Sequence, residues 1–175
     1  MIPEDTDLRA AVRDVPDFPK VGVLFKDITP ILADGRLFRR AIDLLVEETR
    51  RSGAEKIAGI DARGFLFGAT VADRLGLGFV PIRKQGKLPW KTRAASYKLE
   101  YGEAVVEVHT DAFRKGERVA LIDDLLATGG TAAASLELIK TCQAEPVIAQ
   151  FLIELEFLGG RARLAPTPVS PLLRY

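Results

Sequence analysis

The sequence predicts an α/β fold, a mostly parallel open sheet flanked by helices, and three observations predict it. Strand-length and helix-length segments alternate from Lys56 onward. The strands are continuous apolar runs, Lys56-Ile57-Ala58-Gly59-Ile60 and Arg118-Val119-Ala120-Leu121-Ile122 among them, as strands covered on both faces must be. One strand runs into Asp123-Asp124 and a Thr128-Gly129-Gly130-Thr131 turn that opens a helix. Strand, helix, strand order with right-handed crossovers builds a parallel sheet. At 175 residues, 47% hydrophobic and 28% charged, the chain matches one soluble domain able to bury its own core.

Taken in order, the elements justify that class. Leu8, Ala11, Val12 and Val15 are spaced for a helix near Asp5 to Arg13, ended by Pro16 and Pro19. A loop with an apolar centre, Val21 to Phe25, follows. Asp34-Gly35 opens a strong helix with Phe38, Ala41, Ile42, Leu45 and Thr49 on one face. Arg50 and Arg51 complement its last turn, and Gly53 suits the position after it. Lys56 to Ile60 reads as a buried strand, Phe65 to Leu75 as a helix and Gly78 to Arg83 as a second strand. Gln85 to Ala95, with Gly86, Pro89 and several cations, reads as a mobile loop, and Ser96 to Val108 alternates like a hairpin. Arg118 to Ile122 is a third strand, Thr131 to Cys142 a helix and Val147 to Leu155 a fourth strand.

Composition excludes several functions. Lysine and arginine total 25 against 24 acids, a net charge of +1, which argues against bulk nucleic acid or an anionic membrane as the main partner. A single cysteine, Cys142, leaves no internal disulfide framework or Cys-based zinc site, and a single histidine, His109, leaves no two-histidine metal motif. The first residues lack the basic-then-apolar order of a signal peptide, and no apolar stretch is long enough to span a bilayer. The expectation is a reduced, cytoplasmic protein with no membrane and no nucleic-acid partner.

In open parallel sheets ligands bind beyond the carboxyl ends of the strands. The Asp123 to Thr131 string lies at such an end. Its glycines let backbone N–H groups converge on an anion, Thr128 and Thr131 add hydroxyl donors, and the helix N-terminus adds its dipole. No lysine follows the glycines as in the ATPase loop, and the spacing is not that of a dinucleotide fingerprint. The adjacent carboxylates suit the two hydroxyls of a ribose diol, and could equally hold a metal. Asp61-Ala62-Arg63-Gly64 ends the first strand, and Arg83-Lys84 ends the second, with Lys87 close behind. Together these cations would face a polyanion. Leu24-Phe25-Lys26 has no period that places it in the core, while His109 and Cys142 read as ordinary packed or surface residues.

The string Ile122-Asp123-Asp124 through Leu125-Leu126-Ala127-Thr128-Gly129-Gly130-Thr131 resembles the phosphoribosyl-pyrophosphate (PRPP) motif of the type I phosphoribosyltransferases, and of their adenine-using members in particular. Asp17-Phe18-Pro19-Lys20, Gly22 to Thr29, Arg63 to Gly68, Arg83-Lys84 with Gly86 to Pro89, Ser96-Tyr97 with Leu99 to Gly102, and Leu164-Ala165-Pro166 agree. The resemblance implies a small N-terminal hood, about residues 1–33, on a phosphoribosyltransferase domain with a lid at about 85–101. It implies transfer of the phosphoribosyl group of PRPP to adenine, giving AMP and pyrophosphate, with Mg²⁺ carried by PRPP rather than by a protein metal site, in a homodimer. On its terms Asp123 and Asp124 hold the ribose hydroxyls, and Ala127, Thr128, Gly129, Gly130 and Thr131 the 5′-phosphate. Arg63, Arg83, Lys84 and Lys87 meet pyrophosphate. Phe25 and Leu155 sandwich adenine, Leu24 and Lys26 read its edge through backbone groups, Glu100 assists proton movement, and Tyr101 belongs to the lid. Two other readings compete: a different purine, or a PRPP-sensing regulator, for which the roughly 16 residues before Asp17 are too few to form a winged helix.

Overall fold

The computed structural model of the protein describes residues 5–98 and 103–175. Helix α1 (Thr6–Ala11) starts where Asp5 Oδ1 accepts the N–H groups of Asp7 and Leu8, at 3.1 Å each, and it buries Leu8. It stops short of the predicted Arg13. The chain turns extended at Val12, and Val15 belongs to β1 (Arg13–Pro16), which pairs antiparallel with β2 (Leu24–Asp27). The apolar loop expected over Val21 to Phe25 is therefore partly a strand. Cross-strand charges hold this hairpin: Arg13 faces Asp27, and Asp14 faces Lys26 with a 2.6 Å ion pair. A reading based on apolar alternation is blind to such pairing. A short helix, α2 (Thr29–Ala33), was likewise not expected; Asp27 launches it by accepting both the N–H and the hydroxyl of Thr29.

Helix α3 (Gly35–Ser52) follows its predicted signals, with Asp34 capping the first turn and Gly53 left-handed at φ 68° after the last. Its buried face is wider than expected, adding Leu37, Leu44 and Val46 to Ala41, Ile42, Leu45 and Thr49. Then come β3 (Lys56–Ile60), α4 (Gly64–Leu75), β4 (Gly78–Lys84), β5 (Thr92–Lys98), β6 (Glu103–His109), β7 (Arg118–Leu126), α5 (Gly130–Thr141), β8 (Glu145–Glu154) and β9 (Val169–Arg174). Of the segment 85–101 expected as a lid, Thr92–Lys98 is a paired strand, and residues 99–101 lie outside the described residues. β9 was not expected either. It contains Pro171 and lies at the sheet edge, where a missing N–H is tolerated.

Seven strands form one sheet in the order β5-β6-β4-β3-β7-β8-β9. From β4 through β9 all neighbours are parallel, and β6 and β5 extend the other edge antiparallel. Alternation along each strand splits the core in two. Ile57, Ala120, Ile122 and Leu152 pack with α3 and α4 on one face. Ala58, Ile60, Val119, Leu121, Ala149 and Phe151 pack with α5 on the other. No helix among the described residues is long and apolar enough to cross a membrane. Because β3, β4, β7 and β8 run the same way, their carboxyl ends open on one side, and that side holds the site.

Candidate active site at the carboxyl ends of the strands

A cleft of about 380 Å³ opens there, lined by residues that include Asp61, Arg63, Lys84, Tyr97, Asp123, Asp124 and Thr131. The predicted β7 ended at Ile122; the strand in fact continues to Leu126. Its neighbour β3 stays paired with it only as far as Gly59 opposite Ile122. Past that point β7 has lost one neighbour while β8 still holds the other, with Asp123 beside Phe151 and Leu125 beside Ile153. The two carboxylates overhang the cleft on a supported strand. Asp123 Oδ1 accepts the Asp124 N–H at 2.9 Å, and Asp124, itself buried, accepts the Arg63 Nε–H. Loss of water around Asp123, together with the neighbouring Asp124 charge, pushes its carboxyl well above the ordinary carboxylate range.

The Asp61–Ala62 peptide is cis, and Gly64 opens α4 hard against β7. A Cβ on Gly64 would stand 2.7 Å from Asp123 Oδ1 and 2.9 Å from the Ile122 carbonyl, so only glycine lets the helix start reach the carboxylates. After β7, Gly129 is left-handed at φ 79° and caps α5. Gly129 and Gly130 are buried, and the N–H groups of the first turn of α5 have no helical partners of their own. That leaves an anion cradle beside two acceptors.

The expected cations divide into two kinds. Arg63 bridges Asp124 to the hairpin, its guanidinium 5.7 Å from the centre of the Phe25 ring. Arg83 Nε donates to Asp61 Oδ2 at 2.9 Å, and Arg83 Nη1 to the Lys87 carbonyl at 3.0 Å. Lys84 and Lys87 are exposed, and their ammonium groups pair with no acid among the described residues. Phe25 is half-buried, with the Phe18 ring edge-on at 5.1 Å; Leu24 is exposed. The Lys26 side chain turns away from Phe25, toward Asp14 and the Tyr175 ring, 4.1 Å from its centre. Leu155 follows the end of β8, its N–H on the Leu126 carbonyl at 2.9 Å. Glu100 and Tyr101 lie outside the described residues.

Three residues around the site have no role assigned from the sequence. Glu107, buried on β6, accepts the N–H groups of both Lys87 and Leu88 at 3.1 Å through one oxygen and so pins the turn after β4. Its place between the core residues Val106 and Val108 puts it on the opposite face of the strand, where alternation alone would leave an acid in solvent. Tyr97 lines the cleft and sits against Gly130, where a Cβ would be 3.0 Å from its ring. Gly160 closes on the Gly129 turn from behind, and nothing local in the sequence marks that contact.

The family model for the phosphoribosyl transferase domain matches residues 29–161. Adenine phosphoribosyltransferase from Acidothermus cellulolyticus is 55% identical over 94% of this chain and 93% of its own length. The chain belongs to the adenine phosphoribosyltransferase family. Solved members share the architecture. The crystal structure of adenine phosphoribosyltransferase from Thermoanaerobacter pseudethanolicus superposes with a TM-score of 0.94 at 46% identity, covering 97% of this chain and 98% of that one. The Saccharomyces cerevisiae enzyme, complexed with adenine and D-2,5-dideoxy-2,5-imino-altritol 1,6-bisphosphate, gives 0.91 at 40% identity, covering 95% of this chain and 96% of that one. This chain thus shares its fold with solved adenine phosphoribosyltransferases.

Proposed function

We propose that this chain transfers the 5-phosphoribosyl group of PRPP to adenine, releasing pyrophosphate and forming AMP. One observation carries the reading: a single cleft brings together the Asp123–Asp124 acceptor pair, Arg63 and Thr131 in the first turn of α5, and Arg63 reaches Phe25 on the hairpin. Each part answers a part of the substrates. The diol finds two carboxylates, and the 5′-phosphate finds the backbone N–H groups and hydroxyls of Ala127 to Thr131. The purine finds an aromatic face at Phe25, with Leu155 opposite and backbone groups of Leu24 and Lys26 at its edge.

As the bond from ribose to pyrophosphate lengthens, positive charge builds at the anomeric carbon and negative charge on the leaving group. Lys84 and Lys87, unpaired and exposed, meet that negative charge, and Arg83 fixes where Lys87 stands. Arg63 turns from Asp124 toward the diphosphate when substrate enters, since Asp124 then accepts a ribose hydroxyl instead. Glu100 takes up proton movement on adenine, and Tyr101 closes with it to keep water from the cation. Among the described residues no three His, Cys, Asp or Glu side chains converge as a metal set. The diphosphate itself would supply oxygen donors of the kind a hard cation takes, with Asp123 and Asp124 left to the ribose hydroxyls. Mg²⁺ bound with PRPP supplies charge neutralisation on the diphosphate. The same reading makes the protein a cytoplasmic homodimer.

The test is pyrophosphate release from PRPP and Mg²⁺ with each purine base. Release with adenine, and not with hypoxanthine, guanine or xanthine, is expected. Release with hypoxanthine or guanine instead overturns the adenine assignment. Silence with every base overturns the transferase reading.

A further inference from the structure

The phosphate cradle is not one loop but two segments pressed together. A Cβ on Gly160 would stand 2.1 Å from the Ala127 carbonyl oxygen and 2.9 Å from the Gly129 nitrogen. A Cβ on Gly129 would stand 2.5 Å from the Gly160 carbonyl oxygen. Backbone therefore lies directly on backbone, and the path of residues 127–129 follows the position of Gly160. Gly160 begins a short 3-10 turn, Gly160–Leu164, whose far end is anchored by Leu164 in the core beneath α5.

Arg161 anchors the near end. Its Nε donates to Glu154 Oε1 at 2.9 Å, its Nη2 to Glu154 Oε2, and its Nη1 to the Val169 carbonyl at 2.9 Å. Glu154 is the last residue of β8 and only 3% exposed; its charge is met by this planar, two-bond grip, with Arg174 Nε farther off at 3.9 Å. The guanidinium joins the end of β8, the start of β9 and the residue after Gly160. Resting on the reading of Ala127 to Thr131 as the 5′-phosphate cradle, we infer that Arg161 is a positioning residue: gripped by Glu154, it presses Gly160 against the cradle and so sets its N–H groups for the phosphate. Arg161 does not touch the ligand. Its influence should fall on ligands carrying a 5′-phosphate and spare those bound elsewhere in the cleft.

The experiment compares wild type with Arg161→Gln, Arg161→Lys and the double variant Arg161→Gln/Glu154→Gln. Calorimetry gives the affinities for ribose 5-phosphate and pyrophosphate, and steady-state assays give KM for PRPP and adenine. In Arg161→Gln the ribose 5-phosphate Kd and the PRPP KM should both rise about 10- to 100-fold, the scale of a slight misplacement of a binding group. Pyrophosphate Kd and adenine KM should stay within about twofold of wild type, because those groups bind outside the cradle. Arg161→Lys keeps the charge beside Glu154 but cannot form the planar fork, and should fall in between. The double variant should show no further loss, since both changes break the same grip. A lower melting temperature is compatible with any structural role, but this split between ligands is not. If Arg161→Gln does not melt cooperatively, Arg161→Lys carries the same comparison. Unchanged ribose 5-phosphate affinity, or equal weakening of all four ligands, overturns the inference while leaving the proposed function standing. A wild type that binds no ribose 5-phosphate and turns over no PRPP overturns both.

Discussion

The cradle after β7 leads into the cleft at Thr131, and the β1–β2 hairpin meets the cleft's Arg63 through Phe25, yet the two are held in opposite ways. Around the cradle, Gly64, Gly129, Gly130 and Gly160 are all buried, and three of them are so close to backbone or to Asp123 that a methyl group would collide. In the hairpin, Phe18, Val21 and Leu24 are exposed, Val21 at 88%, and charge pairs across the strands supply the cohesion. One region is positioned by steric exclusion and the other by charge pairs and aromatic edges. Exclusion is intolerant of any added atom. Solvated charge pairs are individually weak, so the hairpin can shift as a base enters or leaves. A phosphate must meet several N–H groups at once, whereas an aromatic ring stacks usefully over a range of offsets.

Breaking the cradle should have the largest effect. Gly129→Val puts a β-branched residue at φ 79° with its Cβ 2.5 Å from the Gly160 oxygen. Loss of detectable PRPP and ribose 5-phosphate binding by calorimetry is expected, with pyrophosphate binding retained; near-normal PRPP affinity would show that the cradle is not defined by exclusion. Truncating the hairpin's ring is milder. Phe25→Ala should weaken adenine by about 1–3 kcal/mol, the worth of one base stacking on an aromatic ring, or roughly 5- to 150-fold in KM. PRPP KM should barely move, and a loss shared equally by both substrates would tie the hairpin to the cradle more tightly than their construction suggests.

Between the two regions stands the Asp123 carboxyl, raised above its ordinary range. The folded protein holds that proton to higher pH than the unfolded chain does. Stability at this site is therefore greatest at acid pH and is lost as pH climbs from the ordinary carboxylate range through the raised value. Asp123→Asn removes the loss and retains an oxygen for the Asp124 N–H. Its melting temperature at neutral pH should exceed the wild-type value by roughly 2–4 °C, what about 1 kcal/mol does to a chain of this size, even as PRPP binding falls. No gain on thermal melts across pH would mean the carboxylate is better solvated than its setting implies. Smallest of all is Asp14→Ala in the hairpin. It removes a half-exposed acid from Lys26 and should alter adenine KM by less than about fivefold, in keeping with a surface ion pair worth up to about 1 kcal/mol.

The central sheet and its ligand-facing string were legible because their signals are local. Buried parallel strands declare themselves as apolar runs, the ends of α3 as Asp34 and Gly53, and the cradle as a turn rich in glycine and threonine. The hairpin, α2 and β9 were not legible. Asp14 opposite Lys26, Asp27 beneath Thr29 and Pro171 on an edge strand are each stabilised by a partner that no periodicity displays. Glu107 is illegible for the same reason, since the N–H donors it accepts reach it only once the Lys87 turn folds back over β6.

By itself the sequence determined which residue types stand at each strand end and which backbone positions can accept a close approach. Alternation, capping residues and glycine placement act over a few neighbouring residues, so the chain carries them before it folds. Only the tertiary structure decided which ends meet. The parallel order β4-β3-β7-β8 brings Arg83, Arg63 and Asp124 to one side, and the turn after β8 sets Gly160 against Gly129 across 31 residues of chain. Such contacts depend on sheet order and on the close packing of segments remote in sequence, which no local pattern encodes.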